Sequence, residues 1–343
     1  KETIAKETIA KETTMPNCVR DYRIDMLKAL SIVLVLIWHL QPIESKFSGL
    51  NQEQLLFGEV MGFFYKYISL LAVPTFITVS MYLLMQRIPL TWTHIKNRLL
   101  HLSHIFLFWV LVQYMFYMLT TGSIILPSFD DVKAGGPGGS VFYFLFVLIR
   151  ATALSFLFMT LNETAKMILS GLVIVISCMY FMLSPLYDIS VATTSMKNYY
   201  VYIPLAYLFL KYKEKFIRYR MIFFCCFILA IVFEELFIQH CFSAYARLSI
   251  FCGVIYFISA IHAREFKHVM ALEWLSRFSL GIFALHLYCQ YFFLFLFGAL
   301  KSHIPDVVML PSVEKMLIFV LTVTITFSSV YLLSKTKLKV YVG

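Results

Sequence analysis

The chain has 343 residues, 60% of them hydrophobic and only 14% charged, with a formal net charge of +10 and a mean hydropathy of +0.80. That composition excludes a soluble globular domain and predicts an all-α polytopic membrane protein. The positive balance comes without a basic, aromatic surface motif, so nucleic acid is not an expected partner.

Residues 1–15 read KETIA KETIA KETTM, a five-residue tandem repeat, and residues 1–20 are expected to form a polar, solvated tail. No charged n-region, apolar core and cleavage site precede the first apolar run, so a removable signal peptide is not expected. The membrane domain is then 21–343.

That domain opens on Arg23–Pro42, RIDMLKALSIVLVLIWHLQP. Met26 to Leu40 is apolar apart from Lys28 and His39, and covers about 20 Å of helix. Eleven positions separate Lys28 from His39. At 100° per residue they fall within about 20° of one face, about 16 Å apart along the axis. Ionisable residues inside a membrane are costly and usually face a cavity, so this helix is expected to form one wall of a site.

Further apolar stretches run at about 61–85 (interrupted by Lys66), 99–119, 141–160, 166–184, 199–210, 221–239, 246–261, 279–299 and 315–333. With the first, that predicts ten transmembrane helices. Between them, DDVKAGGPGGS (130–140) lacks the Gly-Lys-Ser/Thr ending of a phosphate-binding loop and is expected to be a turn. With the N-terminus inside, only Lys46, Lys66, Lys133, Lys197, Arg247, Lys301 and Lys315 of the 29 Lys and Arg fall outside. This bias predicts both termini cytoplasmic. Seven cysteines lie mostly in or beside apolar runs without a CxxC pair, so free thiols are expected, with neither disulfides nor zinc.

Several stretches carry a family resemblance. IDMLKALSIVLVLIWH resembles the first transmembrane helix of the acyltransferase-3 family of membrane O-acyltransferases, where a basic residue, usually Arg, is followed after ten residues by His. Lys28 stands in place of that Arg. NRLLHLSHIFLFW resembles the family's Arg-x-x-Arg motif through Arg98, with His101 in the second position. VPTFITVSMYLL (Val73–Leu84) resembles PxFFxxSGYL, with Met81 replacing Gly; YFLFVLI (Tyr143–Ile149) is similar to WFLxxL; SLGIFALHLY (Ser279–Tyr288) resembles SxxIYLxH, giving His286 a counterpart.

The chemistry expected of these residues follows. His39, neutral in a dry site, suits general-base work; the plain alternative is a histidine that packs between helices. Lys28, Arg98 and His101 form a cradle for the phosphates of coenzyme A, or else are ordinary snorkelling charges. Glu234, with Glu235 in IVFEELFIQH, is about 20 Å into its span and needs a partner. It either orients His39, hydrogen-bonds a sugar, or pairs with another helix. His286 is catalytic support or packing. Asp25, near the helix start, is expected to pair with Lys28 or Arg23.

The resemblance implies an acyl-coenzyme A donor, acetyl-coenzyme A above all, approached from the cytoplasm. It implies a hydroxyl of a cell-surface glycan or its lipid-linked precursor as acceptor. Direct transfer and an acyl-His39 relay both stay open. No permanently bound cofactor and no metal are expected. The expected setting is a multi-pass protein of a bacterial plasma membrane, in contact with lipid. A glycan-intermediate transporter or flippase is the rival reading, disfavoured by the lack of an internal repeat. A membrane receptor is weaker still, for want of a signalling domain.

Overall fold

The computed structural model describes residues 20–43, 52–87, 89–124, 126–137, 141–187, 192, 194–237, 244–303 and 311–343. The KETIA repeat, Cys18 and Cys241 lie outside these. The described residues are helical, with no strand among them. In chain order the helices are α1 (Tyr22–Leu40), α2 (Gln52–Phe63), α3 (Ala72–Met85), α4 (Trp92–Thr121), the short α5 (Phe129–Lys133), α6 (Tyr143–Thr160), α7 (Glu163–Leu186), α8 (Tyr202–Arg218), α9 (Arg220–Phe237), α10 (Leu248–His262), α11 (Met270–Arg277), α12 (Ser279–His303) and α13 (Pro311–Ser334).

Every apolar stretch read from the sequence coincides with a helix, though the count of ten spans is not confirmed. Among the described residues six helices are long and apolar enough to cross a membrane alone: Gly58–Met85, Trp92–Thr121, Tyr143–Thr160, Glu163–Ser184, Ser279–His303 and Ser312–Ser334. A seventh arises if α8 and α9, bent by 92° where they meet, count as one. The bend has a chemical cause. The first half of α8 is buried, whereas its second half is the polar KYKEKFIR, and the helix ends at Tyr219 (φ −94°, ψ 15°), where α9 begins; a separate kink lies within α8 at Tyr212 (φ −124°, ψ 28°). At 15 residues α10 is short.

Helix α1 has the length but carries Arg23, Asp25 and Lys28 in its first two turns. It tolerates them because protein surrounds it: α3, α10, α11 and α12 all pack against it, and Leu27 and Ile32 are fully buried. Lipid-facing helices look different. Leu107, Leu111, Met115 and Leu119 expose one four-residue-spaced stripe of α4, and Ile168, Leu172, Val175 and Met179 expose one spaced by four, three and four on α7. Apolar side chains left bare at helical spacing suit a lipid solvent.

The ends of α1 are set locally. The Asp21 carboxylate accepts from the Arg23 backbone N–H at 3.0 Å, capping the start. At the other end Gln41 adopts a left-handed conformation (φ 37°) and donates its N–H to Ile37, just before Pro42. Between α2 and α3 the chain passes through a π turn at Phe64–Ile68 and a 3-10 turn at Ser69–Leu71. Pro74 cannot donate to the carbonyl four residues back, which disrupts regular α geometry there.

The last segment, a 3-10 turn at Lys337–Tyr341, fixes the start of α12. Gly281 N–H donates to Val342 O at 3.0 Å, and a Cβ at Gly281 would lie 2.7 Å from that oxygen. Tyr341 stacks on Phe108 with ring centroids 4.0 Å apart, and Trp109 Nε1 donates to the Tyr341 carbonyl. Glycine is required at 281 because backbone, not a movable side chain, occupies the space.

Candidate active site

Helices α1 and α12 bring His39 and His286 together, with ring centroids 5.2 Å apart and planes inclined at 53°. Gln290, one turn beyond His286, donates its side-chain N–H to the His39 carbonyl at 3.5 Å. His286 is fully buried. Its Nδ1 lies 3.2 Å from Ile282 O. A carbonyl only accepts, so Nδ1 carries the proton and Nε2 of the neutral ring keeps its lone pair. That Nε2 is buried without a hydrogen-bond partner among the described residues. A buried acceptor left open is costly in a structure that merely packs.

Below the pair, on the stripe that carries Lys28, lies a cavity of about 330 Å³. Lys28, Ser80, Arg87, Arg98 and Ser279 supply its polar lining, and Phe76, Phe144, Leu148 and Phe283 are among its apolar walls. Arg98 donates to Ser80 Oγ at 2.6 Å, while its Nε is buried without a partner. None of Lys28, Arg87 and Arg98 forms an ion pair among the described residues. Three cations converging on one recess without a carboxylate repel one another. They favour an anion there.

The cavity and the histidines are contiguous through one ring. Phe283 lines the cavity, and its centroid is 6.1 Å from that of His286, one turn further along α12. Of the residues expected to hold a donor, Lys28 and Arg98 are brought together and His101 is not. His101 is exposed on α4, and the cavity takes its third cation from Arg87 instead. Nothing in the sequence set Arg87 apart from an orienting charge at a helix end. Ser80 lay within the VPTFITVSMYLL match but had no chemistry assigned to it.

Glu234 is placed elsewhere. Its carboxylate accepts from Arg247 Nε (3.1 Å), Ser249 Oγ (2.7 Å) and Ser249 N–H (2.8 Å), all buried. Arg247 also donates to the Lys66 carbonyl and lies over the Tyr67 ring, 4.6 Å from its centroid. With its oxygens occupied, Glu234 ties α9 to α10 and does not orient His39. Glu235 accepts from Lys66 Nζ at 2.5 Å and from the Tyr67 hydroxyl. The π turn presents both groups to it. Asp25 pairs with neither Lys28 nor Arg23: it accepts from Arg20 Nε and Ser276 Oγ, each at 2.6 Å. Lys28 is thereby left to the cavity.

The histidine pair and the cationic cavity lie within a bundle of apolar helices, the architecture of a multi-pass membrane protein. The acyltransferase domain of the acyltransferase-3 family matches residues 21–334. The chain therefore belongs to that family and is a membrane acyltransferase. No curated protein and no solved structure matches it. The family match lends no support to a transporter without transfer chemistry.

Proposed function

We propose that the chain is an O-acyltransferase of a bacterial plasma membrane. It takes an acyl group, acetyl in the first instance, from acyl-coenzyme A on the cytoplasmic side and passes it to a hydroxyl of a cell-surface glycan or its lipid-linked precursor. The observation that carries this reading is the cavity lined by Lys28, Arg87 and Arg98, which form no ion pair among the described residues; the cavity adjoins the histidine pair through Phe283. Lys28, Arg87 and Arg98 suit the phosphates of the donor. The roughly 16 Å of helix from Lys28 to His39 suits an extended pantetheine arm.

In this reading His39 is the base and His286 its positioning residue. The lone pair at His286 Nε2 can accept an N–H from the His39 ring after a small side-chain rotation, leaving the other His39 nitrogen free to take a proton. The acceptor hydroxyl attacks the thioester carbonyl as that nitrogen removes its proton. The tetrahedral intermediate then expels the coenzyme A thiolate, which recovers the proton from His39. An enclosed, water-poor site limits hydrolysis of the thioester.

The test is direct. Purified full-length protein, given coenzyme A carrying a labelled acetyl group together with cell-envelope glycan as acceptor, is expected to move label to the glycan as a base-labile ester. Failure to bind or turn over labelled acetyl-coenzyme A overturns the donor assignment; label moving to an amine or to lipid alone overturns the acceptor.

A further inference from the structure

A second cleft opens at the other end of α1 from Lys28, the end that the charge bias places outside. It holds about 340 Å³, within the range of small-molecule sites, and Trp38, Gln41, Tyr65, Lys66 and Arg247 line it. Two backbone irregularities converge on it. Gln41 has a φ of 37° and is the one non-glycine residue with a positive φ among the described residues. Glycine or asparagine takes that conformation at lower cost. A glutamine there points to a use for its side chain, which is exposed and lines the cleft. The π turn at Phe64–Ile68, a rare form found often at functional sites, supplies Tyr65 and Lys66.

The chemistry of the cleft suits a neutral, hydroxylated ligand. Its two cations are already neutralised, Lys66 by Glu235 and Arg247 by Glu234. Unlike the Lys28–Arg98 cavity, it therefore holds no surplus positive charge for a phosphate. The Gln41 amide both donates and accepts, as a sugar hydroxyl does. Trp38 is half-buried, and of the four tryptophans it alone contacts no other aromatic ring among the described residues; Trp92, Trp109 and Trp274 lie against Phe156, Phe142 and Phe278. The negative face of an aromatic ring attracts the polarised C–H bonds of a pyranose.

We propose that this cleft is a subsite for the acceptor glycan, with Trp38 as the platform for a neutral sugar ring and Gln41 as a hydrogen-bonding partner of its hydroxyls. This rests on the acceptor reading above and adds where the acceptor is held. Trp38 precedes His39, about 1.5 Å from it along the helix axis, so the seated sugar lies close to the level of the base. Donor and acceptor then approach the histidines from opposite ends of α1.

Purified full-length protein in detergent is given labelled acetyl-coenzyme A and lipid-free cell-envelope glycan, and initial rates are taken with each substrate varied in turn. Trp38→Ala is expected to raise the KM for the glycan about tenfold or more, and Trp38→Phe, which keeps an aromatic face, to raise it less. Gln41→Gly is the sharper variant, because glycine adopts the left-handed conformation without strain. If Gln41 only ends the helix, this variant keeps the wild-type glycan KM. As a sugar ligand, its loss raises that KM about three- to tenfold with the folded yield retained. The KM for acetyl-coenzyme A is expected to stay at the wild-type value throughout. A glycan KM unchanged in Trp38→Ala and Gln41→Gly, or donor and glycan KM values that rise together, overturns the proposal. Wild-type protein that moves no label to the glycan overturns the acceptor reading and this subsite with it, and is distinguished by failing before any variant is compared.

Discussion

The ring of His39 lies 5.2 Å from that of His286, and the Nδ1 of His286 is committed to the Ile282 carbonyl. The second bond dictates what the first contact can do. A ring whose Nδ1–H is fixed along its own helix can offer only a lone pair to its neighbour. His286 is thus able to hold an N–H of His39, and His39 is left with the nitrogen that faces outward from the pair.

His39→Ala is therefore expected to insert and fold yet lose transfer by about 10²–10⁴-fold. His39→Gln keeps size and hydrogen bonding but cannot take a proton at neutral pH, and should lose nearly as much. Folded yield and acetyl transfer measured side by side decide it. A Gln variant that folds well and transfers at near the wild-type rate would falsify the role of base.

Lys28→Arg keeps the cavity's charge and should keep substantial activity. Lys28→Ala and Arg87→Ala should each raise the KM for acyl-coenzyme A by about tenfold, the scale of one exposed-to-half-buried charge-assisted contact, with little change in the acceptor KM. His101→Ala, exposed on α4 away from the cavity, should change neither. Initial rates with each substrate varied in turn check all three, and equal effects on both substrates would remove the phosphate role.

Removing Glu234 strands Arg247 in a buried site where both side chains are at most 5% exposed. Breaking such a pair from one side costs roughly 3–5 kcal/mol. Glu234→Ala should lower the thermal midpoint and the folded yield, while the fraction that folds keeps its donor KM. Size-exclusion recovery after a heat series measures the first effect. A loss of turnover without loss of stability would return Glu234 to the chemistry.

Helix α11 is held to the start of α1 by Arg20, which reaches both Asp25 and Glu273. Hydrogen bonds from His268 and the nearby Arg20 charge hold the Glu273 carboxyl below its usual 4.5. A pKa depressed by folding contributes stability that is fully present above the unfolded value and is lost as pH falls through the folded one. Amide protection in 264–278 should hold from neutral pH to about pH 4.5 and decline below it. Protection that stays constant to pH 3 would show that these carboxylates do not hold α11.

The charge bias predicts that reporter fusions after Gly343 read cytoplasmic and those near Gly136 extracytoplasmic. A C-terminus found outside would move the cavity's cations away from the cytoplasmic donor and with them the proposed direction of transfer.

The helical, membrane-embedded class was legible in composition alone, because twenty apolar residues in a row have few other folds open to them. The facing of His39 and Lys28 along one stripe was legible too, since it follows from the helical period within a single element. The number of independent spans was not. Apolar runs mark α8, α9 and α10, but the 92° bend and the enclosure of α1 depend on neighbours that a run of hydropathy does not register. The ionisable groups divided in the same way. Glu234 and His39 sit at similar depth in their helices, and depth was all that local sequence supplied. Only the packing of α9 on α10 gave Glu234 its Arg247, and only α12 gave His39 its His286. Hydrogen bonds and ion pairs act over a few ångströms, whereas these partners come from separate helices. Which buried charge is satisfied and which is left open for a substrate is therefore decided by tertiary contact.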